Sequence, residues 1–439
     1  MAKLNPEVIK WAIHRSGLTD EQVLKAFPKL SQWIDGSHPP TFKQLNKFAA
    51  KTHVTVRELF ADSLPDYALQ IADFRTVDDT PTTDPSPELF DTVETMMRRQ
   101  SWLKGYFISQ GYDRVSFVGS YTEMPHDNDT IVALAKDIRR LLGIDEHWAA
   151  AFDTVDAALK FFKDRIEAAG VSVVINGVVN DNTHRKLKVD EFRGFVLSDE
   201  IAPVIFINGR DVKSAQIFTL AHELCHLAYA QTGVSNMPED DDSAEGMERF
   251  CNAVAAEVLV PKSMLRNAWD SMPGSSYDKT KALARACKVN FIVVARKARD
   301  EGIVDGDCYA ALWKRYDSER PGPSKKKGKG GDYYNTKRYK LGNVFSDAIF
   351  AAVHSNFISY RDAYDLTGMT APSFSQYFEA PGKADAMLCA EAWESDLTLE
   401  TFEVRSNSPN EIKVPDVCDA FDIKCLDGFD FMRAEGFRF

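Results

Sequence analysis

His222-Glu223-Leu224-Cys225-His226 lies inside an apolar run, with Ala215-Gln216-Ile217-Phe218-Thr219-Leu220-Ala221 before it and Leu227-Ala228-Tyr229-Ala230 after it. Read as one helix, the run projects two imidazoles from one face, a turn apart, so that both reach a single metal ion. Glu223 is rotated by about 100° from His222, where it faces the metal's open position without having to bind it. Two neutral nitrogen donors, with a carboxylate that takes a proton from metal-bound water, are the parts of a zinc hydrolase site. Upstream, Phe195-Val196-Leu197-Ser198 and Val204-Ile205-Phe206-Ile207-Asn208 read as two strands around a turn at Asp199-Glu200. Strands leading into the motif helix offer an extended substrate somewhere to pair. The fold class expected is α+β and mainly helical, with a small sheet beside the motif helix.

Catalytic zinc usually takes three protein ligands and a water. A third His six residues past His226 would fall at Thr232, and the position between that needs Gly is Tyr229, so the metzincin pattern is excluded. The next acids lie on a second helix expected from Asp242 to about Val260, opened by a capping box at Asp242-x-x-Glu245 and stopped by Pro261. Within it Glu248, Cys251, Asn252, Ala255, Val258 and Leu259 share one broad face. Glu248 is the acid on the first turn of that stripe and is the expected third ligand, with Glu245 as the alternative. Cys225 and Cys251 read as small, buried apolar residues, the usual state of free cysteine.

Three separated segments carry a family resemblance: Glu191-Phe192-Arg193-Gly194-Phe195, Phe218 to His226, and Glu248-Arg249-Phe250-Cys251-Asn252-Ala253 running on to Pro261. Together they resemble the ImmA/IrrE family of zinc metallopeptidases, over roughly residues 151 to 378. The resemblance implies a zincin-like core, Zn2+ held by His222, His226 and Glu248, and Glu223 as general base. It also implies a substrate class, repressor-like regulatory proteins cut within their DNA-binding or linker regions.

At 439 residues the chain has room for two to four domains. No run approaches the roughly 18 uncharged apolar residues of a membrane span, and the start lacks a signal peptide's apolar core. Seven cysteines without close pairs point away from a disulfide framework, so a cytoplasmic location is expected. The net charge of -12 argues against nucleic-acid binding by the whole protein, yet residues 1 to 60 carry nine Lys/Arg against five Asp/Glu.

That basic segment, within an all-α unit over residues 1–70, reads as short helices at 6–16, 19–26, 29–34, 41–51 and 56–60. Gly17 to Val23 and Trp33 to Thr41 resemble the Cro/repressor-type helix-turn-helix family, whose recognition helix enters the major groove. Between Val23 and Trp33 the chain is about four residues short and carries Pro28, a loss of about one helical turn. Lys29, Ser31 and Gln32 are the remaining candidates for DNA contact, and a protein-contact or autoinhibitory role ranks above base reading.

Further expectations are a helical linker region at 71–150, a peptidase core at 151–317, a flexible basic loop at 318–332 and helices at 333–380. In the core, a helix pair at 279–288 and 291–301 is followed by Gly302-Ile303-Val304; plain packing is the expected role of the pair, with a small winged element as the alternative. Within 381–439, Lys383 to Ala390 and Lys413 to Phe421 resemble the carboxy-terminal third of a PIN-like nuclease family found in toxin–antitoxin pairs. Asp385 matches one of that family's metal-binding acids without the others. The function expected is a zinc endopeptidase acting on a repressor-like protein. The alternative is a non-proteolytic regulator or antitoxin that binds DNA or a cognate toxin. The oligomeric state is left open.

Overall fold

The computed structural model describes residues 4–16, 18–52, 54–61, 63–64, 85–235, 246–319, 333–378, 398–400, 414–421 and 423–426. The chain divides into two compact units, Met1–Ala348 and Ile349–Phe439. Glu245 and the capping box Asp242-x-x-Glu245 lie outside the described residues, as do Asp385, the segment Lys383–Ala390, and nearly all of the expected linker (Asp73 to Pro87) and basic loop (318–332).

The amino-terminal helices are α1 (Pro6–Arg15), α2 (Asp20–Ala26), α3 (Leu30–Ile34) and α4 (Phe42–Thr52). Thr19 opens α2 with a full capping box to Gln22. Phe27, Trp33 and Phe48 form the aromatic centre of a small core of their own. The five residues of α3 bury Leu30 and Trp33 and leave Lys29, Ser31 and Gln32 exposed. At 1.5 Å per residue α3 is about 7.5 Å long, little more than a single turn.

Next come α5 (Pro87–Ser109), α6 (Asn128–Leu142) and α7 (Val155–Ala168), then the strands β1 (Ser172–Asn176), β2 (Val178–Val179), β3 (Asn182–Lys186), β4 (Gly194–Leu197) and β5 (Val204–Asn208). After them follow α8 (Lys213–Ala228), β6 (Gly233–Ser235), α9 (Gly246–Leu259), α10 (Lys262–Ser271), α11 (Ser276–Cys287), α12 (Phe291–Asp300), α13 (Gly306–Glu319), α14 (Tyr333–Leu341) and α15 (Asn343–His354). The main sheet has the order β1-β5-β4-β6, with β1 and β5 parallel and the other two pairings antiparallel. Because successive strand residues face opposite sides, the sheet is buried twice. Val173, Ile175, Val196, Ile205 and Ile207 face a core shared with α7, α8 and α9, while Val174, Phe195, Leu197, Val204 and Phe206 face α5.

One expectation changes here. Both edges of β4 and of β5 are already taken, so neither strand has backbone to offer an extended substrate; at that end of the sheet β6 is the outermost strand among the described residues. After α12 the chain turns through Gly302 and enters α13, and α11 and α12 pack against each other, the role preferred for this pair from the sequence. In the second unit, α16 (Tyr360–Thr367) and α17 (Ala371–Phe378) meet through Tyr364 and Phe374. There β7 (Leu399–Glu400) pairs in parallel with β8 (Cys425–Leu426), beside α18 (Val414–Phe421).

α14 packs on β1 and is tied down by charge. Asn180 and Asp181 form a two-residue hairpin turn between β2 and β3, both with positive φ (46° and 60°), where Asn and Asp are tolerated. The Asp181 carboxylate receives Lys337, which is buried, and Lys340 at 2.7 Å. Burial alone would raise the Asp181 pKa, but the two lysines outweigh it and hold the carboxyl below its usual range. A depressed folded value gives stability that is present above the unfolded carboxyl pKa and lost as pH falls through the folded one. Asp181→Asn, which keeps the turn geometry, should lower the unfolding free energy at pH 7 by about 2 kcal/mol, because it removes the charge that offsets burial of the Lys337 ammonium. In urea titrations the gap to the unsubstituted protein should stay constant down to about pH 4 and narrow below it. A gap that does not change with pH would contradict the assignment.

Candidate metal centre

α8 is buried along its length from Ala215 to Ala228. A helix apolar on all sides belongs in an interior, and two imidazoles and a carboxylate on such a helix need partners. His222, Glu223 and His226 are 3%, 0% and 7% exposed. The two imidazoles meet Nε2 to Nε2 at 3.0 Å. Glu248, in the first turn of α9, closes the triangle, with one oxygen 3.2 Å from His222 Nε2 and the other 3.3 Å from His226 Nε2. Its side chain, 29% exposed, is the most open of the four.

The far nitrogens of both rings are held as well. His222 Nδ1 donates to the Asn252 amide oxygen at 3.0 Å, and His226 Nδ1 donates to that of Gln231 at 3.1 Å. An acceptor behind each ring keeps the proton on Nδ1 and turns the Nε2 lone pair forward, the tautomer that metal ligation needs. Gln231 arrives by a backbone device. Ala230 adopts φ 54°, which folds the chain back over the end of α8, and Gln231 N–H then bonds to the His226 carbonyl at 2.9 Å. Asn252 comes one turn after Glu248 on α9 and belongs to the stripe read from the sequence. Gln231 is three residues past the motif helix and had no such signal.

The local field calls for positive charge. Burial by itself would depress the His226 imidazolium, but the hydrogen bond to Glu248 and the charges of Glu248 and Glu223 outweigh it and lift the pKa to about 10. Burial would likewise raise Glu248, yet its contacts with His222 and His226 hold it far below the usual carboxylate range. Two carboxylates thus surround a pair of buried nitrogens. The nitrogen–nitrogen distance of 3.0 Å, and the 3.2 and 3.3 Å from the rings to the two oxygens of Glu248, lie close to the donor spacing of about 3.3 Å in a tetrahedron whose zinc–nitrogen bonds are about 2.0–2.1 Å. In both spacing and charge the residues fit a divalent cation of zinc's size.

Glu223 does not share the triangle; it lies against β4. A Cβ on Gly194 would stand 3.0 Å from Glu223 Oε1, 2.7 Å from Thr219 Cγ2 and 3.0 Å from the Phe206 carbonyl oxygen. Only a residue without a side chain lets strand and carboxylate come this close. Cys251, expected to be merely apolar, is fully buried, but its Sγ also belongs to the cluster of donors formed with His222 and His226. Burial and a hydrogen bond with Cys225 push its thiol pKa well above the ordinary value. Lys29, Ser31 and Gln32 belong to the amino-terminal helices and have no part in this centre.

Residues 166–299 match the family model of the IrrE N-terminal-like domain, Peptidase M78. Residues 359–439 match a domain of unknown function, DUF4411. No curated protein and no solved structure matches the chain. The first match spans the end of α7 through α12 and includes His222, Glu223, His226 and Glu248. It makes this part of the chain similar to a metallopeptidase family; the second match names no activity.

Gly194→Ala should displace the Glu223 carboxylate and destabilise the fold by about 1–3 kcal/mol, the usual cost of overpacking. Thermal unfolding and a crystal structure of the variant check both effects. An unchanged Tm with Glu223 in place would show that the close approach does not constrain it.

Proposed function

We propose that the chain is a zinc-dependent endopeptidase with a zincin-like core, in which His222, His226 and Glu248 hold the ion and Glu223 is the general base. The observation that carries this reading is the convergence of two Nε2 atoms and the Glu248 carboxylate within 3.3 Å of one another, each ring backed by an amide oxygen. When bound, zinc would supply a Lewis acid that polarises a peptide carbonyl and lowers the pKa of water towards about 7.

The remaining work falls to the chain itself. Asn252 and Gln231 orient the rings, and Glu248 neutralises part of the ion's charge. Glu223, on the same helix but off the ligand face, takes a proton from the attacking water at its carboxylate and returns it to the nitrogen of the leaving amine. Burial of α8 keeps bulk water from competing for that proton. An extended substrate would pair with the outer edge of β6, which has no partner strand on that side among the described residues and begins five residues after α8.

The substrate would be a repressor-like regulatory protein, and the amino-terminal helices would serve as a contact module. The shortness of α3 supports protein contact over base reading by Lys29, Ser31 and Gln32. We place the reaction in the cytoplasm, in keeping with buried free thiols such as Cys225 and Cys251.

Glu223→Gln should keep one zinc per chain and an unchanged Tm while lowering peptide cleavage by about 10²–10⁴-fold. Cleavage at the original rate would remove Glu223 from its role. Asn252→Ala and Gln231→Ala should each weaken zinc affinity by about 10–100-fold, measured by competition with a chromophoric chelator. Unaltered affinity in both would mean that the rings need no support from behind.

A further inference from the structure

α9 brings one more donor to the site than the peptidase reading uses. Cys251 lies one turn beyond Glu248, and its Sγ and a ring nitrogen from each of His222 and His226 all fall within 4.8 Å of one another. The thiol is completely buried, and its neighbour on α8 is Cys225. Glu248 reaches the two rings from the partly exposed side, whereas Cys251 sits in the interior.

We propose that Cys251 is the fourth ligand of the resting metal centre, so that the ion is held closed by two imidazoles, a carboxylate and a thiolate. This rests on the metal-centre reading above and adds how the centre is regulated: a centre with four protein ligands is a structural one, and it becomes catalytic only when one ligand leaves. Thiolate is a good donor for zinc. In a tetrahedral site with zinc–sulfur at about 2.3 Å and zinc–nitrogen at about 2.0–2.1 Å, sulfur and nitrogen stand about 3.6 Å apart. Sulfur therefore needs to close by only about 1 Å from the 4.8 Å limit, within reach of a rotation about its single side-chain torsion. On ligation the S–H bond breaks, its electron pair goes to the ion and its proton to solvent. Cys251 thereby becomes a brake: with sulfur bound the fourth position is filled, and with sulfur released it is open.

The test uses the full-length chain loaded with Co2+, which gives a near-ultraviolet sulfur-to-metal absorption when thiolate is bound and none with nitrogen and oxygen ligands alone. The expected result is one cobalt per chain with that absorption. Cys251→Ser should keep the cobalt and lose the absorption, and Cys225→Ser should keep both. Zinc-loaded Cys251→Ser should also cleave peptide several-fold faster. One cobalt per chain in the unsubstituted protein without the sulfur absorption overturns this inference and leaves the metal centre standing. No cobalt bound, or binding that survives a His222→Ala/His226→Ala double substitution, overturns the centre itself. Should Cys251→Ser fold poorly, zinc X-ray absorption of the unsubstituted protein decides: a sulfur shell at about 2.3 Å is required, and its absence contradicts the proposal.

Discussion

Two imidazoles gripped from behind by amide oxygens and in front by one carboxylate are the constraint around which the first unit is organised. Each ring nitrogen of His222 and His226 has a partner, and the partners come from two pieces of backbone: Asn252 and Glu248 from α9, Gln231 from the turn that ends α8. Such an arrangement tolerates little slack, because a buried polar group that loses its partner costs about 1–3 kcal/mol. It accounts for the left-handed Ala230 after α8, for the depth at which α8 is sunk, and for the glycine where β4 crosses Glu223.

The sheet is small, yet it does more than fill space. Its face toward α8 is a continuous apolar layer, and its other face is sealed by α5, which lies before the matched region in the chain. The chain past that region also belongs to the core. Asn343, at the start of α15, donates its backbone N–H to Glu167 of α7 at 2.7 Å, while Asp181 binds α14 through Lys337 and Lys340. Gly342, with φ +81°, passes so close to β1 that a Cβ there would meet the Val173 carbonyl oxygen at 2.8 Å. The cooperative unit around the centre is therefore larger than the segment that resembles a known family.

What could be read from the sequence follows the range of the physics behind it. The spacing of His222, Glu223 and His226 is local to one helix, so helical geometry alone predicted their relative directions, and the apolar stripe of α9 singled out Glu248. β1, β4 and β5 stood out as short, strongly apolar runs. β6 has three residues and no alternation, and the polar strand β3 carries no apolar pattern, so neither could be seen. The place of Gln231 depends on the left-handed residue before it, which in a sequence is just another alanine. Cys251 is buried, as the sequence suggested, but a buried thiol that packs and a buried thiol placed among metal donors look the same until its neighbours in space are known.

The most direct measurement is a crystal structure of the protein purified with zinc, with anomalous differences collected on both sides of the zinc edge. The account predicts one peak per chain about 2.0–2.2 Å from His222 Nε2, His226 Nε2 and an oxygen of Glu248. A density map with those three side chains turned apart, or with zinc bound only elsewhere, would contradict it.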